Sequence, residues 1–292
     1  MTEEGRKHQG IGVILATGHS ARDIFNLCLA QGIKIESKPF ALGVRVEHPQ
    51  EQIDQIQYHT NERGLLPAAS YTMAYQSKLA GKERGVFSFC MCPGGFIVPA
   101  STSPDEIVVN GMSPSRRDSK FANSGIVVAI EEQDFKDVHL MGPISGMKFQ
   151  ASLEKRAWES VSKGQMAPAQ RLEDFMNGVH SSSLNASSYQ PGLESIEMRT
   201  ILPKFINERL KQGFRFFDYK MRGYITNEAQ IIGIESRTSS PVRIPRDKIT
   251  CEHQEVKRLF PCGEGAGYAG GIVSAAMDGE RCMDHLAKLY LK

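Results

Sequence analysis

The residues best suited to chemistry are the nine at 263–271, GEGAGYAGG. Gly265, Gly267 and Gly270 spell GxGxxG between a short apolar run and a helical pattern. Glycines in a strand-to-helix turn let backbone N–H groups approach a ligand, and the helix dipole favours negative charge there. Glu264 would stand at the end of the strand, where open α/β sheets bind ligands and where a carboxylate can accept hydrogen bonds from sugar or polyol hydroxyls. A full dinucleotide fingerprint also needs a second strand and an acidic residue about 20 positions on. No such strand follows before Lys292. A tight connection whose glycines only satisfy backbone geometry is the competing account.

Other residues offer weaker signals. Cys90 and Cys92 alternate with Phe89 and Met91, so on a strand both thiols share one face. They read either as a redox or substrate-pocket pair or as small buried apolar residues. Arg237, in ESRTSSPVRI at 235–244, has the planar fork that suits a carboxylate, or it belongs to a polar turn. Arg116 and Arg117 beside Asp118 read as a phosphate contact or an exposed charged loop. His19 follows Thr17 and Gly18 and is either a ligand contact or a solvated residue at a helix start. Tyr268 and His139 are the candidates for a general acid or base; no residue pattern identifies a catalytic one. The six cysteines contain no CxxC pair, so neither a disulfide framework nor a metal site is expected.

These residues need elements to hold them. IGVILA at 11–16 is a continuous apolar run of the kind buried on both faces of a parallel sheet. Ser20 with Asp23 has capping-box spacing, Ile24, Leu27 and Cys28 share a helical face, and Gly32 can end that helix. FALGVRVEH, GVFSFCMC, GGFIVPA, EIVVNGM and SGIVVAIEE make 39–146 a largely β block. ASLEKRAWESV, APAQRLEDFMNG and TILPKFINERLKQG have helical patterns, with Gly213 able to stop the last. AQIIGIESRTSSPVRI returns to strand and turn. The end of the chain reads as strand, glycine turn and final helix.

With 292 residues, 40% hydrophobic and 23% charged, the chain can bury one large or two smaller cores. A net charge of +2 without a long Lys/Arg run argues against nucleic acid. No apolar run approaches the ~20 residues of a membrane span. MTEEGRKHQG is polar and lacks the core of a signal peptide, so a cytoplasmic location is expected.

PCGEGAGYAGGIVSAAMDG at 261–279 resembles the C-terminal flavin-contacting segment of a bacterial family of FAD-dependent dehydrogenases, distant relatives of two-dinucleotide-fold flavoproteins. LATGHSARD, CMCPGG, VVNGMS, RRDSKFANSGIVV and ESRTSSPVRI match the family's pattern in the same order. The resemblance implies FAD as cofactor, with NAD(P)H as a candidate co-substrate. It places Thr17 and Gly18 near the pyrophosphate or adenosine and Gly263 and Glu264 near the ribityl chain. Gly267 and Tyr268 fall in the same turn, and Gly270, Gly271 and Ile272 would offer amides to the pyrimidine edge. By the same resemblance Arg237, Ser239, Cys90 and Cys92 line the substrate side.

Family sequences begin upstream with a GxGxxG after the first strand and an acidic residue ending the second, and neither of these N-terminal features is found ahead of the strand at 11–16. The expected fold is therefore α/β: a partial FAD-binding, Rossmann-like sheet (1–37 and 229–292) with an inserted β-rich plus helical substrate domain (38–228). The expected function is an FAD-dependent oxidoreductase of unknown small-molecule substrate. The alternative is a non-catalytic fragment, or one half of a split flavoprotein completed by an upstream polypeptide.

Overall fold

The β-branched runs form strands, and the amphipathic stretches between them form helices that cover those strands. The computed structural model describes residues 5–6, 8–136, 141–162 and 164–291. In chain order its elements are β1 (Val13–Leu15), α1 (Arg22–Ala30), β2 (Glu36–Ser37), β3 (Phe40–Pro49), α2 (Gln50–Tyr58), β4 (Ala74–Leu79) and β5 (Lys82–Cys92). There follow β6 (Phe96–Pro99), β7 (Val109–Met112), β8 (Phe121–Ile130), α3 (Glu132–Lys136), α4 (Ser145–Glu159), β9 (Ala167–Arg171) and α5 (Leu172–Asn177). The remainder are β10 (Leu193–Ser195), α6 (Lys204–Lys220), β11 (Gln230–Glu235), β12 (Val242–Arg243), β13 (Leu259–Pro261) and α7 (Ile272–Tyr290). The fold is α/β. It divides into a first unit of Met1–Phe40, Glu131–Lys148 and Ser239–Lys292, and a second of Ala41–Ile130 and Phe149–Thr238.

In the first unit, β1 and β13 pair in parallel, with Val13 opposite Leu259 and Leu15 opposite Pro261. Leu15 packs into a cluster with Phe25 and Cys28 of α1, Val242 and Ile244. Ile14, the next residue on the strand, packs against Phe260, Cys262, Cys282 and Leu286, the last two on α7. Alternate side chains of one strand thus anchor one helix on each face. The expectation that β1 is buried on both faces is not met. It is an edge of a two-stranded sheet, and Val13 is 58% exposed.

The ends of α1 separate two readings. Its cap position is Ala21, with no side-chain cap, so the Ser20–Asp23 capping box does not form. Its C-terminus does end at Gly32, whose φ of +68° is costly for residues with a Cβ. Ile33 N–H donates to the Cys28 carbonyl at 2.8 Å and Gly32 N–H to Leu29 at 3.0 Å, the paired bonds of a Schellman stop.

The second unit carries a seven-stranded sheet in the order β10-β9-β11-β3-β8-β5-β4, with β6 and β7 as a separate hairpin. Its β3 is buried almost end to end and includes Arg45, which has no exposed surface. Arg45 donates Nε and Nη2 to Glu235 (2.8 and 3.2 Å), Nη1 to Asn123 (2.6 Å) and the Cys90 carbonyl (3.2 Å), and Nη2 to Asn110 (3.3 Å). A side chain on Gly111 would collide with this guanidinium, so the bare residue in NGM makes room for a buried cation.

Two helical readings change here. In APAQRLEDFMNG the first half is β9, held between β10 and β11, and only Leu172–Asn177 is helical. Strand pairing on both sides outweighs the weak local preference of 167–171. Gly213 does not stop a helix: α6 runs through it to Lys220. Its buried face, Ile206, Leu210, Phe214 and Phe217, covers the sheet, and a Cβ on Gly213 would lie 2.5 Å from Val86 Cγ1 of β5. Glycine costs about 1 kcal/mol in a helix interior, and it is kept here because the backbone approaches the strand closely. Gly213→Leu is expected to lower the stability of this unit by about 2 kcal/mol through overpacking. An unchanged urea midpoint would refute the close-approach account.

Candidate functional site

Parallel pairing sends the chain out of β1 and β13 at the same end. Residues 16–18 and 262–264 therefore emerge side by side, although almost 250 positions separate them in sequence. The approach is close enough that a Cβ on Gly265 would collide with the Gly18 carbonyl. His19 Nδ1 lies 3.1 Å from Glu264 Oε2, with both side chains partly exposed. The turn closes on itself through Gly267 N–H to the Glu264 carbonyl (2.9 Å) and Tyr268 N–H to the Gly263 carbonyl (3.0 Å).

The glycines divide the turn into two sides. Gly267 has a φ of +81°, and a Cβ there would press on Lys38 Cδ (3.0 Å) and the Val242 carbonyl (3.1 Å). With Gly265 it forms the packed side. Around Gly18 and Gly270 nothing lies within 4 Å of a built Cβ, and Gly271 meets only Ser274 Oγ at 3.9 Å. Those three make an open shelf.

The shelf ends at the start of α7, where Gly271 occupies the cap position and no side chain caps the helix. Ser274 Oγ accepts the Gly270 N–H (3.3 Å) and donates to the Gly271 carbonyl (2.9 Å), turning back onto the turn itself. The amides of residues 272–274 have no intrahelical acceptor, as in any first turn. They and the helix dipole suit an electron-rich ligand atom. Ile272 beside them is 91% exposed.

A buried ion pair holds the turn from behind. Arg246 donates Nη2 and Nη1 to Asp278 of α7 (2.5 and 3.0 Å) and Nη1 to the Pro261 carbonyl (2.6 Å). Asp278 also accepts the Gly263 N–H at 2.8 Å. The Arg246 guanidinium lies 3.9 Å from the centre of the Tyr268 ring, and the Tyr268 hydroxyl accepts the Arg246 backbone N–H at 2.9 Å. Burial alone would raise the Asp278 carboxyl; the hydrogen bonds from Arg246 and Gly263 outweigh it and hold the pKa below the ordinary 3.8.

Cys262, Asp278 and Cys282 have ligand atoms within 4.8 Å of one another, a spacing that would admit a metal. However, the Arg246 cation already faces Asp278 and also lies 3.1 Å from Cys282 Sγ. Burial pushes both thiols up, which keeps them protonated. The cluster behaves as packing around an ion pair.

The structure brings Thr17, Gly18, Gly263, Glu264, Gly267, Tyr268, Gly270, Gly271 and Ile272 into the first unit, around this one turn. Ser239, half-buried, opens the last segment of that unit. Arg237, Cys90 and Cys92 belong to the second unit. Arg237 spends its guanidinium on its own unit: Nε and Nη2 reach Glu154 (3.2 and 3.0 Å), Nη2 reaches Glu106 (2.9 Å) and Nη1 reaches Thr102. A carboxylate ligand would have to displace an internal one.

Cys90 and Cys92 do not share a face. The register of β5 shifts between Phe89 and Cys92, Cys90 has a φ of +45° and is exposed, and Cys92 is buried with its thiol raised by burial. Arg116 and Arg117 are exposed, and His139 lies outside the described residues.

Sequence reasoning missed the role of Arg246 and Asp278, and the pairing of His19 with Glu264. In PRDK and AMDGE the two ion-pair residues look like ordinary surface charges. Their meeting depends on α7 folding back over β13.

Residues 39–238 match a family described as FAD-dependent protein, C-terminal domain-like; the glycine turn lies beyond the matched range. A protein of Clostridium beijerinckii, described as uncharacterized, is 42% identical over 281 residues. That alignment takes in 95% of this chain and 52% of the relative, so the chain spans about half the length of the protein it matches.

Asp278→Asn is expected to cost about 3 kcal/mol, because it leaves the Arg246 charge buried without its counterion. The pH dependence has a definite sign. A carboxyl depressed in the fold contributes fully above its unfolded value near 3.8 and loses that contribution as pH falls through the folded value. The acid limb of a stability–pH curve should therefore be shallower in the variant. Parallel curves for the two proteins would rule the linkage out.

Proposed function

Since the chain belongs to the FAD-dependent protein, C-terminal domain-like family, we propose that it serves as part of a flavin-dependent oxidoreductase and that the turn at 263–271 holds FAD. The observation that carries this reading is the open shelf of Gly18, Gly270 and Gly271 beside the uncapped start of α7, at the carboxyl ends of two parallel strands. That is the position at which α/β sheets bind nucleotide-type ligands.

The donor set fits the group. The amides of 272–274 and the helix dipole suit the electron-rich pyrimidine edge of an isoalloxazine, where they act as preorganised charge stabilisers. Glu264 Oε2 faces His19, which leaves Oε1 for ribityl hydroxyls. Ile272 and Val273, both exposed, offer apolar contact to a ring. FAD when bound supplies the hydride chemistry; the protein orients it and tunes its charge. Among the described residues no helix is long and apolar enough to cross a membrane.

A direct test uses the open space itself. Gly270→Val adds a side chain where nothing in the protein stands, so folding should be unaffected while FAD affinity falls at least tenfold. Gly265→Val, which strikes the Gly18 carbonyl, should instead lower thermal stability. Affinity is read from flavin absorbance and fluorescence on titration of the purified chain. Equal FAD binding by wild type and Gly270→Val would move the flavin elsewhere.

A further inference from the structure

Helix α6 presents two faces. Ile206, Leu210, Phe214 and Phe217 are buried against the sheet. Lys204, Asn207, Glu208 and Lys211 stand at i, i+3, i+4 and i+7 and share another face. All four border a cavity of about 320 Å³ that lies within the second unit. Ligand pockets run from about 300 to 1,000 Å³, so this one suits a small molecule.

The other walls of the cavity are fixed by their own contacts. Gln170 of β9 is buried; its Nε2 donates to the Val179 carbonyl (2.6 Å) and its Oε1 accepts the Met198 N–H (3.0 Å). Phe175 of α5 is buried and meets the ring of Phe214 edge-on, with centroids 6.1 Å apart. Arg199 and Glu197 answer each other, Nε to Oε2, at 2.5 Å.

The groups on α6 are not answered in this way. Among the described residues Lys204, Glu208 and Lys211 have no ion-pair partner, although Lys204 and Glu208 are one helical turn apart. The Lys211 ammonium lies over Phe175 instead, 5.5 Å from the ring centre. Asn207 Nδ2 donates to the Leu202 and Pro203 carbonyls (2.8 and 3.2 Å), which fixes the orientation of the amide. Its buried Oδ1 is left without a donor. Two cations without an anion and two acceptors without a donor therefore surround one cavity.

We infer that this cavity binds a small zwitterion, an α-amino acid. Its carboxylate is held by Lys204 and Lys211. Its ammonium is held by Glu208, with Asn207 Oδ1 adding to the negative side. The mixed charge selects this class. A dianion such as phosphate would meet the Glu208 carboxylate, and a polyamine would meet both lysines. Phe175 offers an apolar surface to the amino acid's side chain. The inference stands on the second unit alone and is independent of the flavin reading.

The test titrates the full chain, without FAD, with single amino acids in a calorimeter, beside acetate, ethylammonium and inorganic phosphate. At least one amino acid should bind at least tenfold more tightly than any of the three simple ions. Lys204→Gln, Lys211→Met and Glu208→Gln all lie off the buried face of α6, so circular dichroism should be unchanged while each weakens that binding at least tenfold. Lys155→Gln, at an exposed lysine of α4 paired with Glu159, should leave it intact. No amino acid bound, phosphate bound as tightly as the best amino acid, or binding that persists in all three α6 variants would each overturn the proposal.

Discussion

The Arg246–Asp278 pair is the constraint on which the first unit depends. One guanidinium binds a carboxylate of α7, a carbonyl of β13 and the face of Tyr268, while the same carboxylate takes the Gly263 amide. Strand, turn and helix are therefore tied at one point. Taking two charges out of water is costly, and a buried pair is weak evidence of net stability. Its value here is directional: removing either partner strands the other, so the turn has one low-energy arrangement. The protonated thiols of Cys262 and Cys282 keep the surroundings uncharged.

A second buried arginine plays the matching part in the other unit. Arg45 ties β3 to β11 through Glu235, to β8 through Asn123 and to β7 through Asn110. Gly111 is bare because the guanidinium fills the space. NGM and FANSG, which carry part of the family resemblance, therefore hold a structural cation. Arg237 follows the same logic, its charge met by Glu154 and Glu106. Charged side chains held this tightly are poorly suited to recruiting a substrate, which directs attention to the shelf at Gly18, Gly270 and Gly271.

That shelf borders a turn with a packed side and an open side. Its inner glycines are in contact and its outer ones face open space. Backbone amides, unlike long side chains, are already ordered, so a ligand meets a preorganised field at little entropic cost.

By itself the sequence determined the α/β class, most of the strands in 39–146, the glycine stop of α1, and the strand–turn–helix near the C-terminus. These follow from local chemistry: β-branched runs, helical periodicity and positions that only glycine tolerates. It misjudged 167–171, Gly213 and the two cysteines of β5, because strand pairing, close approach to Val86 and a bulge are set by neighbours distant in sequence. Only the tertiary structure decided that Gly18 meets Gly265, that His19 meets Glu264 and that Arg246 meets Asp278. Such contacts carry no signature along the chain, because a residue's type records what it can bind, and its partner is set only when parallel strands bring remote segments to the same end of a sheet.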